Sequence, residues 1–289
     1  MTISRTRTLV TTNWLREQIS SNWKKTKKNL RILDTTFSKN KEIDSYTEGY
    51  LKNHIPQSLF FDLHRCVEST PQIPRNLPDL KCFENYVQSL GVWPDTHIVA
   101  YDRDLPSSAY RTWWTFRLFG HRNISILDGG YRKWLTDGFD VTMEQPSVER
   151  SNFTINMDSS LLRNYVQMMD NVTSHREQVV DARAPDSDSV VQEELDGGVI
   201  PSSMHVSYDH LFNEDGTLKS ESDLKTMFRE AGVDLNKPMV ACCLTGMTAC
   251  GVAGAAHVLG KDIPVYYGSW TEWKQRAPDK YKQCSRKNT

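Results

Sequence analysis

Residues 239–260 read MVACCLTGMTACGVAGAAHVLG, and the chemistry of the stretch turns on where Cys243 stands. The apolar run Met239–Cys242 predicts a buried strand, Leu244–Thr248 a turn containing Gly246, and Ala249–Leu259 a helix of small residues. A strand that feeds a helix through a tight loop gathers backbone N–H groups in that loop, and the helix dipole adds partial positive charge. A thiol at the first loop position then favours its thiolate, the form that attacks. Two chemistries suit such a cysteine. Phosphoryl transfer of the C-x5-R type needs an arginine six positions on, where this chain has Ala249. Sulfur transfer needs a nucleophile that holds a second sulfur as a persulfide, a reversible thiol state. A buried core thiol is the plain alternative. Cys242, at the strand's end, fits that description better, and Cys250 reads as packing within the helix.

The other cysteines are Cys66, Cys82 and Cys284; in 289 residues all six are sparse and irregularly spaced. That predicts free thiols in a reducing compartment rather than a disulfide framework. No C-x-x-C pair or His/Cys ligand spacing occurs, so neither a metal nor another cofactor is expected. A formal net charge of −1 gives no pull toward nucleic acid or anionic lipid. No apolar run reaches the ~20 residues that span a bilayer. With 38% hydrophobic and 25% charged residues, the composition is that of a soluble globular protein. The start, MTISRTRTLVTTNW, carries two arginines without an apolar core and does not read as a secretory signal. A cytoplasmic location is expected, with mitochondria as the alternative address.

The elements that must position Cys243 occur twice. LRILDTT (30–36) parallels QVVDARA (178–184), HIPQS (54–58) parallels VIPSS (199–203), HIVAYD (97–102) parallels MVACC (239–243), and ILDGGYRKW (126–134) parallels VYYGSWTEW (265–273). The matches keep one order at an offset of 139 to 147 residues, the mark of an internal duplication. Short Val/Ile-rich runs alternate with longer amphipathic stretches such as Ser107–Phe119 and Ser222–Ala231, which predicts parallel strands covered by helices on both faces. The expected architecture is two tandem α/β domains, residues 1–142 and 159–289, joined by a polar linker at 143–158. Ligands of such sheets sit beyond the carboxyl ends of the strands. There the second repeat has Cys243 and the first has Asp102. The tryptophans Trp113, Trp114, Trp134, Trp270 and Trp273 read as core, and the charged end KYKQCSRKNT (280–289) as a solvated tail.

With those stretches in view, the chain resembles the two-domain sulfurtransferases of the rhodanese superfamily, and most of all their mercaptopyruvate branch. CLTGMTAC (243–250) is similar to that branch's C-G-S-G-V-T-A-C and to C-R-K-G-V-T-A of the thiosulfate enzymes. WLREQI (14–19), NHIPQSLFFDL (53–63), YRTWWTFRLFGHRNISILDGGYRKWL (110–135), VVDARAPDS (179–187) and YGSWTEWKQRAP (267–278) extend the likeness over nearly the whole chain. The resemblance implies two rhodanese-like domains, the first catalytically silent. It makes Cys243 the nucleophile and persulfide carrier, with the amides of Leu244, Thr245, Gly246, Met247 and Thr248 around it. It assigns the loop hydroxyl to Thr245, the carboxylate-binding arginine to Arg183 with Arg111 as a second lining residue, and a proton relay to His54 with Asp44. The expected reaction moves sulfur from 3-mercaptopyruvate to a thiol acceptor, such as thioredoxin or a small thiol, releasing pyruvate. Thiosulfate:cyanide transfer and a weakly active or inactive binding protein are the alternatives.

Three departures from the pattern bear on that expectation. The second arginine that follows D-[AS]-R in the family is missing, with Ser187 and Asp188 in its region. The second-domain G-H-I-P-G-A motif has become GVIPSSM. Leu244 takes the place of glycine or arginine in the loop and is expected to narrow the mouth of the cradle.

Overall fold

Apolar runs with no polar alternation become strands buried on both faces, and parallel strands need a crossover between neighbours. Both features recur twice in the computed structural model, which describes residues 7–26, 29–38, 42–104, 106–183 and 198–284. The first five strands are β1 (Leu9–Val10), β2 (Leu30–Asp34), β3 (Ser58–Phe60), β4 (His97–Tyr101) and β5 (Ile124–Leu127). They form one parallel sheet in the order β1-β5-β4-β2-β3. The second set runs β6 (Leu162–Arg163), β7 (Gln178–Asp181), β8 (Gly198–Val199), β9 (Met204–His205), β10 (Met239–Cys242), β11 (Val265–Tyr266) and β12 (Gln283–Cys284). Five of these make a parallel sheet in the order β6-β11-β10-β7-β9, while β12 pairs with β8 in an antiparallel ribbon. Matched by repeat, the two orders are the same, so the duplicated sequence folds as a duplicated sheet. The helices are α1 (Thr12–Thr26), α2 (Leu80–Ser89), α3 (Ser107–Leu118) and α4 (Gly130–Thr136), then α5 (Tyr165–Ser174), α6 (Glu221–Glu230), α7 (Ala249–Val258) and α8 (Ser269–Arg276). None of the described helices is long and apolar enough to cross a membrane.

The compact units are not plain halves of the chain. Unit 1 comprises Met1–Glu68, Pro78–Asp158 and Asn213–Leu218; unit 2 comprises Ser69–Leu77, Ser159–Phe212 and Lys219–Thr289. Within unit 1 the borrowed loop is fastened by Leu218 N donating to Asp128 Oδ1 at 2.8 Å and by a Lys133–Asp215 ion pair at 3.7 Å. The stretch 143–158, expected as a linker, belongs to unit 1 and is laid along it. Ser151, Asn156 and Asp158 donate backbone N–H groups to the carbonyls of Gln88, Phe119 and Leu118. Phe153 is buried against Phe83, Phe116 and His121.

The tryptophans expected in the core are all there, each 2% exposed or less. Two other expectations need correction. Cys66 and Cys82 are joined by a disulfide. Their spacing of 16 residues gave no sign of it, because the chain between them loops out and returns. The tail is not wholly solvated: Gln283–Cys284 pairs with β8, and Trp273 Nε1 donates to the carbonyl of Tyr281.

At the end of β4, Asp102 stands where the second repeat has its cysteine, and it is 2% exposed. Its Oδ2 accepts from Ser108 N at 3.1 Å, Ser108 Oγ at 2.7 Å and Ala109 N at 3.1 Å. The carboxylate thus caps the start of α3, satisfying N–H groups that helices leave open. Burial nevertheless pushes it up to about 7. The folded chain therefore holds this proton more tightly than the unfolded chain does, and protonation stabilises the fold. That contribution is full below about pH 4 and is lost as pH rises through 7. Across pH 5–8 the wild type should lose thermal stability relative to Asp102→Asn, read as diverging melting temperatures in calorimetry. Parallel curves would contradict the assignment.

The I-P-x-S turns explain one departure from the family pattern. Gln57 and Ser202 hold φ of +70° and +61°, the left-handed region in which a side chain is strained. Glycine fits there without strain, so the second-domain motif has lost its glycine while keeping glycine's backbone. Ser202→Gly should stabilise the protein by about 0.5–1 kcal/mol, measured by denaturant unfolding, after allowing for the greater chain entropy of glycine.

Candidate functional site

The site is built where β10 ends. Cys242 pairs in register with Asp181 on β7, and its carbonyl accepts from Ala182 N at 2.8 Å. Burial, followed by the charge of Asp181, raises the Cys242 thiol well above its ordinary value, so it stays an uncharged core group. The next residue enters the loop. Gly246 lies at φ +82°, and a Cβ there would fall 2.4 Å from the Tyr267 carbonyl oxygen, so no side chain fits. This turn brings the Gly246 N–H to 3.0 Å from Cys243 Sγ. Beneath the loop, Cys250 Sγ donates to the Gly246 carbonyl at 3.3 Å. The small residues of α7 allow the close approach: a Cβ on Gly251 would sit 2.3 Å from the Tyr208 ring.

The loop is stapled to the first turn of α8. Trp270 N donates to the Cys243 carbonyl at 3.0 Å, and Thr271 donates to the Leu244 carbonyl through N at 3.0 Å and Oγ1 at 2.9 Å. Cys243 N in turn donates to Ser269 Oγ at 3.1 Å. That hydroxyl lies 3.9 Å from Sγ and 2.8 Å from the Tyr266 carbonyl. It has one proton, and at these distances the carbonyl receives it. Ser269 is fully buried at φ +52°. Sequence reasoning missed it, although a signal existed: the matching position of the first repeat is Gly130, at φ +56°. The second repeat holds the same left-handed backbone with a side chain that adds a hydroxyl beside the sulfur.

The expected site residues divide sharply. Cys243 is 1% exposed, and Thr245, Met247 and Thr248 are half-buried in the loop around Gly246. Leu244, expected to narrow the mouth of the cradle, is half-buried. Its side chain packs against the apolar cluster of Met168, Val179, Ile200, Val240 and Trp273, so it anchors the loop to the core. Arg183 lies beside the site, but Asp181 holds it. Nε donates to both carboxylate oxygens at 3.0 Å, and Nη2 reaches Oδ2 at 2.6 Å and the Gly198 carbonyl at 3.1 Å. Burial works against its charge, yet the carboxylate outweighs burial and raises Arg183 above its ordinary value. The guanidinium also lies over the Trp270 ring, 5.4 Å from its centroid. Ser187 and Asp188 lie outside the described residues.

The remaining three candidates belong to unit 1 and have structural work there. His54 is fully buried, stacked on Tyr50, with Nδ1 2.8 Å from the Tyr50 carbonyl and Nε2 3.0 Å from the Glu144 carbonyl. Both ring nitrogens lie within hydrogen-bonding distance of main-chain carbonyls, so His54, expected in a proton relay, has a structural role in unit 1. Asp44 is exposed and accepts from Tyr46 N and Thr47 Oγ1, capping the turn that follows. Arg111 is 3% exposed, with its guanidinium 4.7 Å over Trp114 on the same helix. Among the described residues no group of three or more His, Cys, Asp or Glu is placed to hold a metal ion.

The model of the rhodanese-like domain matches this chain twice, at residues 11–137 and 164–276. The chain belongs to the rhodanese family. The two matches cover both sheets and include the Cys243 loop. The chain is 41% identical to the thiosulfate sulfurtransferase of Rattus norvegicus, over 94% of this chain and 93% of the relative. It is 36% identical to the 3-mercaptopyruvate sulfurtransferase of Mus musculus, with the same coverage of 94% and 93%. The crystal structure of SseA from Escherichia coli, a 3-mercaptopyruvate sulfotransferase with the rhodanese fold, superposes with a TM-score of 0.81 at 28% identity, covering 92% of this chain and 99% of that one.

Two substitutions separate the loop's anchors. Gly246→Ala should displace the amide from the sulfur and slow alkylation of Cys243 by iodoacetamide about tenfold or more, with circular dichroism unchanged. Leu244→Ala should lower stability by about 2 kcal/mol in urea unfolding, as for a core leucine that is only partly enclosed. A neutral Leu244→Ala would return that side chain to the solvent.

Proposed function

We propose that this member of the rhodanese family is a sulfurtransferase that takes sulfur from 3-mercaptopyruvate onto Cys243 and passes it to a thiol acceptor. The observation that carries the reading is the Gly246 N–H directed at Cys243 Sγ. A fixed N–H donor stabilises negative charge on sulfur without the reorganisation that water would need. In the loading step the Cys243 thiolate attacks the donor's sulfur. The carbon–sulfur bond breaks, its electrons leave as the enolate of pyruvate, and a proton completes the product. In the unloading step an acceptor thiolate attacks the outer sulfur of the persulfide, and Cys243 returns as a thiolate. A small thiol or the dithiol of a thioredoxin suits that second step. The dithiol then closes to a disulfide and expels hydrogen sulfide.

Charge supports 3-mercaptopyruvate over thiosulfate as the donor. The loop Leu244–Thr248 has no cationic side chain. The charge of Arg183 is matched by the buried carboxylate of Asp181. A dianion such as thiosulfate gains little from a neutral pair, whereas a singly charged carboxylate can use the guanidinium edge that Asp181 leaves open. The likeness to rat thiosulfate sulfurtransferase supports thiosulfate as the second reading.

Side-by-side assays decide the matter. Wild type should release pyruvate from 3-mercaptopyruvate with dithiothreitol as acceptor, and intact mass should show one added sulfur. Cys243→Ser should show neither. Faster turnover of thiosulfate with cyanide would reverse the donor order, and loading by neither donor would leave a rhodanese-like binding protein.

A further inference from the structure

Two features of the chain come together at residues 66–82, and sulfur transfer uses neither. The first is the Cys66–Cys82 disulfide. The second is that Ser69–Leu77, the segment between those cysteines, is counted with unit 2. The segment is an ordered arm with its own internal bonds: Ser69 Oγ donates to the Pro74 carbonyl at 2.8 Å, and Ile73 N to Thr70 Oγ1 at 3.0 Å. At its root, Val67 bridges Pro78, and Asp79 N donates to the Cys66 carbonyl at 2.8 Å. Asp79 also caps α2 by accepting from Cys82 N at 2.8 Å. The disulfide therefore ties the outgoing strand of the arm to the first turn of α2, just beyond the returning strand.

In unit 2, Gln275 Nε2 of α8 donates to the arm's Pro71 carbonyl at 2.9 Å. The first turn of the same helix supplies Trp270 and Thr271, whose N–H groups hold the Cys243 loop. A covalent and hydrogen-bonded connection thus runs from the sulfur–sulfur bond through the arm and α8 to the site. Cys66 is buried, whereas Cys82 is half-buried.

We propose that Cys66–Cys82 is a redox clasp, opened by a dithiol reductant, whose state sets how firmly the arm 69–77 holds α8. Opening begins when a thiolate of the dithiol attacks Cys82 Sγ. The sulfur–sulfur bond breaks, Cys66 leaves as a thiolate and takes a proton, and a mixed disulfide links Cys82 to the reductant. The reductant's second thiol then attacks that mixed disulfide and frees Cys82. Overall, the dithiol is oxidised to its own disulfide while two electrons and two protons pass to the protein's cysteine pair. The root keeps its bridge and its hydrogen bonds, so the arm loosens without being released.

The test follows amide hydrogen exchange in the full chain, with and without dithiothreitol, since exchange does not depend on sulfur transfer. Reduction should speed exchange in residues 69–77 and in α8, and lower the melting temperature by roughly 5 °C. Cys66→Ser/Cys82→Ser should match the reduced wild type and ignore the reductant. If that variant does not fold, redox titration of the wild type with mass analysis of alkylated cysteines gives the same comparison. On the sulfur-transfer reading, kcat/KM with cyanide as acceptor, measured after the dithiothreitol has been removed, should be about fivefold lower for the reduced protein. Loss of activity with exchange unchanged would place the reductant's effect at Cys243 and overturn the clasp. Two free thiols at Cys66 and Cys82 after oxidation would also overturn it. Redox-dependent exchange in a protein that no donor loads would support the clasp and refute the sulfur-transfer reading instead.

Discussion

The site rests on one backbone turn. Gly246 lies at positive φ against the Tyr267 carbonyl, where no side chain fits, and its N–H faces Cys243 Sγ. Main-chain bonds from the first turn of α8 to the carbonyls of Cys243 and Leu244 hold that turn in place. The tryptophans of α8 fix the helix to the core, and Leu244 fixes the loop to the same cluster. Most of this support is independent of side-chain identity within the loop itself. Thr245, Met247 and Thr248 can therefore differ from their counterparts in relatives while the amide geometry persists. The constraint falls on glycine and on the buried framework.

The two sheets show what a single residue decides. Both place a loop and a helix start beyond the carboxyl end of the central strand, and both carry a residue able to bear negative charge there. In unit 1 the chain supplies the acceptor itself: the Asp102 carboxyl group takes up the N–H groups of Ser108 and Ala109. A cap that answers its own helix leaves those donors nothing further to bind. In unit 2 the corresponding side chain is a thiol, and the donor facing it comes from within the loop. The same topology thus yields a closed structural cap in one copy and a buried thiol facing a loop amide in the other.

Much of this was legible in the residues. Strand runs such as LRILD and HIVAY have no polar face, so parallel pairing inside a covered sheet followed from composition alone, and the repeat placed Asp102 opposite Cys243. Roles that depend on side-chain direction were not legible. Leu244 follows Cys243 in sequence, but direction decides its role, and its side chain packs against the apolar core cluster. His54 carries a titratable ring, yet both nitrogens are taken by carbonyls contributed by Tyr50 and Glu144, the second of them distant in sequence. Ser269 was hidden for the opposite reason. Its distinction is a left-handed backbone, visible only beside the glycine at the matching place in the first repeat. The Cys66–Cys82 bond needed the loop between the two cysteines to fold back, which no spacing rule reports.

The exchange of short loops between halves has a consequence for how such a chain can be altered. Each unit is completed by a segment encoded in the opposite half: 213–218 in unit 1 and 69–77 in unit 2. A cut within 143–158 would yield two fragments, each carrying a piece the other requires and lacking one of its own. Although the sequence looks modular, each half carries a segment counted with the other unit, so dividing or shuffling the chain at that seam would take a piece from both units at once.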